Sequence, residues 1–333
     1  MRAVELLEYG GPEVLKVVEA EVPEPGPGQV SIDVAYVGVN FADLKARSEG
    51  YRVPSLPFRP GLEASGRIRA VGADVEGLAV GQEVAALTEG GTYADVTVAD
   101  AVTVFPLPEG VDLRTAATLP TVVPTAYALV HTVGRLQPGE TVLVQGAAGG
   151  IGTVAGQLAK AAGAGAVYGV VSAEPKAKYA LDHGYDEVFV GSFVDEVRAA
   201  TDGRGVNLAL DPVGGETLRG SLASLAPFGR LVSFGNASSA EPWKVGQPEL
   251  YPTGLSVAGF SILGLAQTAP AALRTIAEKA FRTVVEGVVS LPVTAEFALE
   301  DAAEAHRLMG TRSSTGKLLL RAGGDSPRSS SRP

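Results

Sequence analysis

The residues Gly146-Ala147-Ala148-Gly149-Gly150-Ile151-Gly152 lie between an apolar run, Thr141–Gln145, and a segment whose apolar positions recur at helical spacing: Ile151, Val154, Ala155, Leu158, Ala159 and Ala162. Strand, glycine turn and helix in this order suit a pyrophosphate. Exposed amides and the helix dipole attract its charge, Gly149 lets the backbone approach it, and Gly152 lets helix and strand pack closely. Ala147 stands where the usual G-x-G-x-x-G has its first glycine, so a turn that holds no ligand is the competing reading. The next strand, AVYGVV, ends at Ser172 and is followed by AEPKAK. An NAD site places an acidic residue there to hold the ribose hydroxyls. A hydroxyl followed by the cation of Lys176 suits a 2′-phosphate better and predicts NADPH as cofactor. Glu174 as a displaced acidic partner, and Lys176 as an ordinary solvated helix charge, are the alternatives.

The elements that must position this turn are also legible. From Thr141 onward apolar strands (TVLVQ, AVYGVV, EVFV, VNLALD, RLVSFG) alternate with helical stretches, the pattern of βαβ units and a doubly wound parallel sheet. The first hundred or so residues instead carry short β-branched runs broken by Gly and Pro, such as VSIDVAYVGV, EASGRIRAVG and YADVTVAD, and predict a mostly β, barrel-like domain. A helix around Ala271–Glu286 and a closing strand Lys317–Arg321 follow, and the last dozen residues predict a disordered tail. The fold class is therefore α/β.

With 333 residues, 46% of them hydrophobic, the chain suits two domains. No apolar run is long enough to span a bilayer and MRAVELLEYGG lacks a leader layout, so the expectation is a cytoplasmic protein with no membrane partner. A net charge of −10 without a basic stripe argues against nucleic acid as a partner. The absence of cysteine removes disulfides, thiol nucleophiles and thiolate metal sites, and is compatible with a reducing compartment.

Five segments, GVNFADLKARSEGY, PSLPFRPGLEASGRI, AATLPTVVPTAY, GAAGGIG and LVSFGNASS, in this order and spacing, resemble the medium-chain dehydrogenase/reductase superfamily, in its zinc-free NADPH:quinone oxidoreductase branch. The match runs from the first residues to about Arg321. It implies a GroES-like catalytic domain over 1–122, a Rossmann domain over 123–262, a return to the catalytic domain over 263–321 and a tail over 322–333. It also implies a homodimer joined at the edge strand in LSVAGF, Leu255–Phe260. Zinc alcohol dehydrogenases of the superfamily carry Cys and His where Asn40 and Leu62 stand here, and His131, His183 and His306 are scattered. No metal site is expected.

Residue by residue, the resemblance puts Asn40, Asp43 and Tyr51 beside nicotinamide and substrate, Thr125 near the carboxamide, and Phe234, Gly235 and Asn236 along the nicotinamide end. It puts Gly149, Gly150 and Ile151 at the pyrophosphate, beside the Gly152 already read from the turn, and Arg312 and Lys317 at the adenosine phosphate, where the residues themselves already suggest Ser172 and Lys176. From the residues alone, Asn40 also reads as a turn residue, Asp43 as a helix cap, Tyr51 as a rim aromatic, and Arg312 and Lys317 as strand-surface charges. Two departures stand out: many relatives have tyrosines where this chain has Lys45 and, in the third βα region, Gly191. Without metal or a Ser-His or Cys-His pair, catalysis must come from placing the nicotinamide against an electrophilic carbon and excluding water. That chemistry suits a quinone or another conjugated carbonyl, with the Tyr51 hydroxyl or the Asn40 amide as donor to the developing oxyanion. The alternatives are an enoyl-thioester reductase and a nucleotide-binding structural or regulatory protein with little catalysis.

Overall fold

The computed structural model describes every residue except 240, 242, 243 and 324–333. Two sheets organise the chain. The seven-stranded sheet runs in the order Val293–Ala298, Lys317–Arg321, Gln29–Val39, Glu63–Val71, Glu83–Leu87 and Val104–Pro106, with Val96–Asp100 also paired to Gln29–Val39. Its pairs are antiparallel except the first, which is parallel. Val30, Ile32, Val34, Val37 and Val39 are all buried, so the β-branched runs bend around a core as the early sequence predicts. The closing strand lies at Lys317–Arg321, and Leu318, Leu319 and Leu320 bury it beside Gln29–Val39. The expected tail starts slightly late: Ala322 is buried and its amide donates to the Ala35 carbonyl at 3.0 Å. The remainder of the tail, 324–333, lies outside the described residues.

The second sheet is wholly parallel, in the order Glu187–Val190, Ala166–Val171, Thr141–Gln145, Val206–Asp211, Leu225–Ser233, Ser256–Gly259. Val142, Leu143 and Val144 have no exposed surface, as a central strand covered on both faces requires. The strand order reverses between Thr141–Gln145 and Val206–Asp211, which opens a crevice at their carboxyl ends. The helix Gly150–Ala161 turns Val154, Ala155, Leu158 and Ala159 inward, the face its spacing predicts. The helix Pro270–Val285 packs Leu273, Ala277, Ala280 and Phe281 into a core that also holds Val122, Val123 and Ala126 of the helix Val122–Tyr127, Leu87 and Phe105 of the seven-stranded sheet, and Leu62 just before its strand Glu63–Val71. The two sheets thus share one apolar core at their junction. Among the described residues no helix is long and apolar enough to cross a membrane.

Candidate active site

The glycine turn ends the strand Thr141–Gln145 at the crevice, with Gly149 as the residue before the helix and Gly150 as its first. A methyl on Gly152 would lie 2.3 Å from the Gly146 carbonyl oxygen, so helix and turn meet there at backbone contact. A methyl on Gly149 would meet nothing closer than 3.4 Å, which leaves that face of the turn open. Ile151 is partly buried against the core. The turn has a strap: Gly316 pairs with Gly149, and its amide donates to the Ala148 carbonyl at 2.9 Å.

Beyond the strand Ala166–Val171, Ser172 Oγ lies 3.4 Å from the Arg312 carbonyl oxygen, so the two segments meet. Burial and then the Arg312 charge pull the Lys176 ammonium below its usual range. The Lys176 ammonium and the Arg312 guanidinium thus lie close enough at this corner for the one charge to act on the other. Lys317 is not part of this corner. It is buried, its Nζ donates to Asn40 Oδ1 at 2.7 Å, and it forms an ion pair with Glu63. Its expected place at the adenosine phosphate is therefore corrected: the first residue of the closing strand points into the junction, because strand alternation turns it inward with Leu319.

Asn40 precedes the helix Phe41–Glu49, and its backbone amide donates to Asp43 Oδ2 at 2.8 Å, so the capping reading of Asp43 holds. The Asn40 amide nitrogen donates to the Gly38 carbonyl at 3.1 Å and to Glu63 Oε1 at 2.9 Å. Both of its hydrogens are thereby committed, which corrects the expectation that it donates to a substrate oxygen. Thr125 is buried, and its hydroxyl donates to the Thr121 carbonyl at 2.6 Å, leaving it only acceptor capacity. Phe234 is held at the end of Leu225–Ser233 by its backbone N–H, which donates a hydrogen bond to the Asp211 carbonyl at 2.9 Å, and Gly235 and Asn236 follow. Lys45 reaches across from the helix Phe41–Glu49 to the Asn236 carbonyl at 3.0 Å and Ser239 Oγ at 2.7 Å, while Ser239 Oγ donates to Glu49 at 2.6 Å. The cation that replaces the expected tyrosine is a clasp between the two sides of the cleft.

The family models that match are the alcohol dehydrogenase GroES-like domain over residues 26–109 and the zinc-binding dehydrogenase domain over 150–278. A quinone oxidoreductase of Pseudomonas aeruginosa is 35% identical over 96% of this chain and 99% of its own. The chain belongs to the medium-chain dehydrogenase/reductase superfamily, in its quinone oxidoreductase branch. The crystal structure of Escherichia coli quinone oxidoreductase complexed with NADPH superposes with a TM-score of 0.90 at 32% identity, covering 96% of this chain and all of that one. A zebrafish synaptic vesicle membrane protein VAT-1 homologue is 33% identical over 96% of this chain and 69% of its own length. Family membership gives the two sheets their names: the seven-stranded one is the GroES-like part and the parallel one the Rossmann part.

A zinc ion does not fit the residues this branch member presents. Leu62 contributes hydrocarbon, the Asn40 amide is held by Glu63 and Lys317, and among the described residues no three His, Cys, Asp or Glu side chains converge. What lies there instead is a small hollow lined by Ala42, Asp43, Tyr51, Phe58, Leu62 and Leu263, with Arg52 and Glu89 also on its wall. Tyr51 is 45% exposed toward solvent, whereas Asp43 is buried. Burial raises the Asp43 carboxyl to about 7, against the opposing effect of its bonds from the Asn40 and Gly61 amides. Behind it Tyr93 and His306 form a second buried pair, hydroxyl to Nε2 at 2.8 Å, and burial lowers the His306 imidazole to about 3. Sequence reading missed Glu63, Tyr93 and the contact of His306. For Glu63 a signal existed: a carboxylate between Leu62 and Ala64 in a strand of small residues must find a buried partner.

Proposed function

We propose that the chain uses NADPH to reduce a quinone or another α,β-unsaturated carbonyl compound, without a metal. The reading is carried by one observation: the Tyr51 hydroxyl and the buried Asp43 carboxyl, which burial raises to about 7, line the same hollow. Bound NADPH supplies a hydride to the electrophilic carbon. Charge then develops on the carbonyl oxygen, where the Tyr51 hydroxyl donates a hydrogen bond, and one proton completes the reduction, at oxygen for a hydroquinone and at the α carbon for a saturated carbonyl, with Asp43 as its source. Phe58, Leu62 and Leu263 supply the hydrocarbon side of this hollow, against which an apolar ring can pack. Gly149, Gly150, Ile151 and Gly152 cradle the pyrophosphate. Ser172, Lys176 and Arg312 take the 2′-phosphate, in keeping with the absence of a carboxylate at the end of AVYGVV. Thr125, with its hydrogen already spent, accepts from the nicotinamide carboxamide, and Phe234, Gly235 and Asn236 border that end of the cleft.

In this reading residues 1–122 and 263–321 form the catalytic domain and 123–262 the nucleotide domain, and the protein is a cytoplasmic homodimer. The experiment is an NADPH-oxidation panel with a quinone, an enone, an enoyl thioester and, in reverse with NADP⁺, a saturated alcohol, each with and without chelator. Wild type is expected to reduce the quinone and the enone equally well in chelator. The Tyr51→Phe variant should bind NADPH normally and lose turnover, by about 10²–10³-fold if Tyr51 is the principal donor. Oxidation of the alcohol with no reduction of any conjugated acceptor sinks the reaction assignment. Preference for the thioester transfers it to an enoyl reductase, and tight NADPH binding with no acceptor at all favours a nucleotide-binding regulator.

A further inference from the structure

Four segments, those of Asn40, Glu63, Thr121 and Lys317, meet at one buried ion pair, and the residue before Lys317 touches the glycine turn. Glu63, fully buried in the strand Glu63–Val71, accepts on Oε1 from the Asn40 amide at 2.9 Å and from Lys317, and on Oε2 from the backbone amide of Thr121 at 2.8 Å. Thr121 immediately precedes the helix that carries Thr125 and accepts that residue's hydroxyl. Lys317 follows Gly316, the strap on the glycine turn. We propose that Glu63 and Lys317 are a positioning pair, which fixes the Asn40 carboxamide, the helix of Thr125 and the glycine turn relative to one another. The proposal rests on the reading of this cleft as an NADPH reductase site.

The bonds determine which way Asn40 points. Its oxygen faces the Lys317 ammonium at 2.7 Å and its nitrogen faces two acceptors, so a flip would set an NH₂ against an ammonium and an oxygen against a carboxylate. Stability alone is a poor reason for such a pair, since desolvating two charges consumes most of their attraction and apolar residues of similar volume commonly serve as well. Geometry is a better one: a carboxylate with two oxygens and an ammonium with three hydrogens hold four segments at fixed angles, which hydrocarbon cannot do.

The test uses the full chain and three variants, Lys317→Met, Glu63→Gln, and the two combined. NADPH affinity is read by fluorescence titration, turnover and acceptor KM on a quinone, and stability by thermal melting. Lys317→Met alone leaves Glu63 buried without its cation and should lower the melting temperature, whereas the double variant removes both charges and should recover most of it. The expected result is that the double variant, though stable, still binds NADPH about tenfold or more weakly and turns over more slowly at saturating NADPH, with acceptor KM little changed. A stable double variant with wild-type NADPH affinity and turnover overturns the proposal, as does either single variant with wild-type values. If Lys317→Met does not fold, the double variant and Glu63→Gln decide. The titration needs no acceptor, so if wild type reduces neither quinone nor enone, the reaction assignment fails while the positioning claim is still judged on binding.

Discussion

Lys176 carries the test of cofactor choice at the scale of a single residue. Its neighbours already strain its charge, since burial and Arg312 both act against the ammonium, and a 2′-phosphate would relieve both. Lys176→Glu should therefore weaken NADPH about ten- to a hundredfold while NADH binding changes much less, the loss expected for a charge-assisted phosphate contact. Parallel titrations with the two cofactors measure it, and equal effects on both would move the phosphate site elsewhere. Ser172 and Lys176 could be proposed together from sequence because one follows the strand Ala166–Val171 and the other opens the next helix, Pro175–Leu181. Lys317 was not readable in the same way: its partner Glu63 is 254 residues away in sequence, and a lone cation opening a strand gives no sign of which face it takes. Asn40 shows the same limit, because its type and position were evident but the commitment of both its hydrogens depends on Gly38 and Glu63 together.

At the scale of the element, the turn between Thr141–Gln145 and Gly150–Ala161 separates two uses of glycine that one motif conceals. At Gly152 a methyl would strike the Gly146 carbonyl, so Gly152→Ala should destabilise the protein by about 1–3 kcal/mol and lower NADPH affinity as the turn shifts. At Gly149 the backbone is extended, with φ −80° and ψ 172°, and a methyl has room. Gly149→Ala should thus melt near wild type yet bind NADPH poorly, because the methyl occupies the face the phosphates must approach. Thermal melts beside NADPH titrations distinguish the two, and a Gly149→Ala protein with wild-type affinity would remove the pyrophosphate from this face. Parallel strands such as Thr141–Gln145 were legible because burial on both faces leaves a continuous apolar run, Val142, Leu143 and Val144. The strand Leu225–Ser233 begins earlier than RLVSFG suggested, since Pro227 and Gly229 interrupt the apolar pattern without ending the strand. The existence of Pro270–Val285 was equally plain, but its seat between the two sheets was not, because helical periodicity identifies a face and not what covers it.

At the scale of the whole molecule, Ser256–Gly259 ends the parallel sheet with one pairing partner among the described residues, Leu225–Ser233. The proposed homodimer pairs this edge with its counterpart in a second copy, relieving the open row of amides and carbonyls. Light scattering should give twice the chain's mass at micromolar concentration, and a monomer mass there would count against it. The division into two sheets was visible in the change of strand pattern near Thr141, whereas their shared core was not, since it depends on Leu62, Leu87 and Phe105 meeting residues far along the chain. The strap of Gly316 on Gly149 bears on the order in which the molecule is made. A ribosome delivers Asn40, Glu63, Thr125 and the glycine turn well before Gly316 and Lys317, so a nascent chain has every part of the cleft except the piece that binds them together. Until that last strand emerges, Glu63 waits without its cation and the turn without its cover. Long-range closure of this kind makes the final steps of folding slow relative to the local pairings that precede them, and it ties the appearance of a cofactor-competent cleft to completion of the strand Lys317–Arg321.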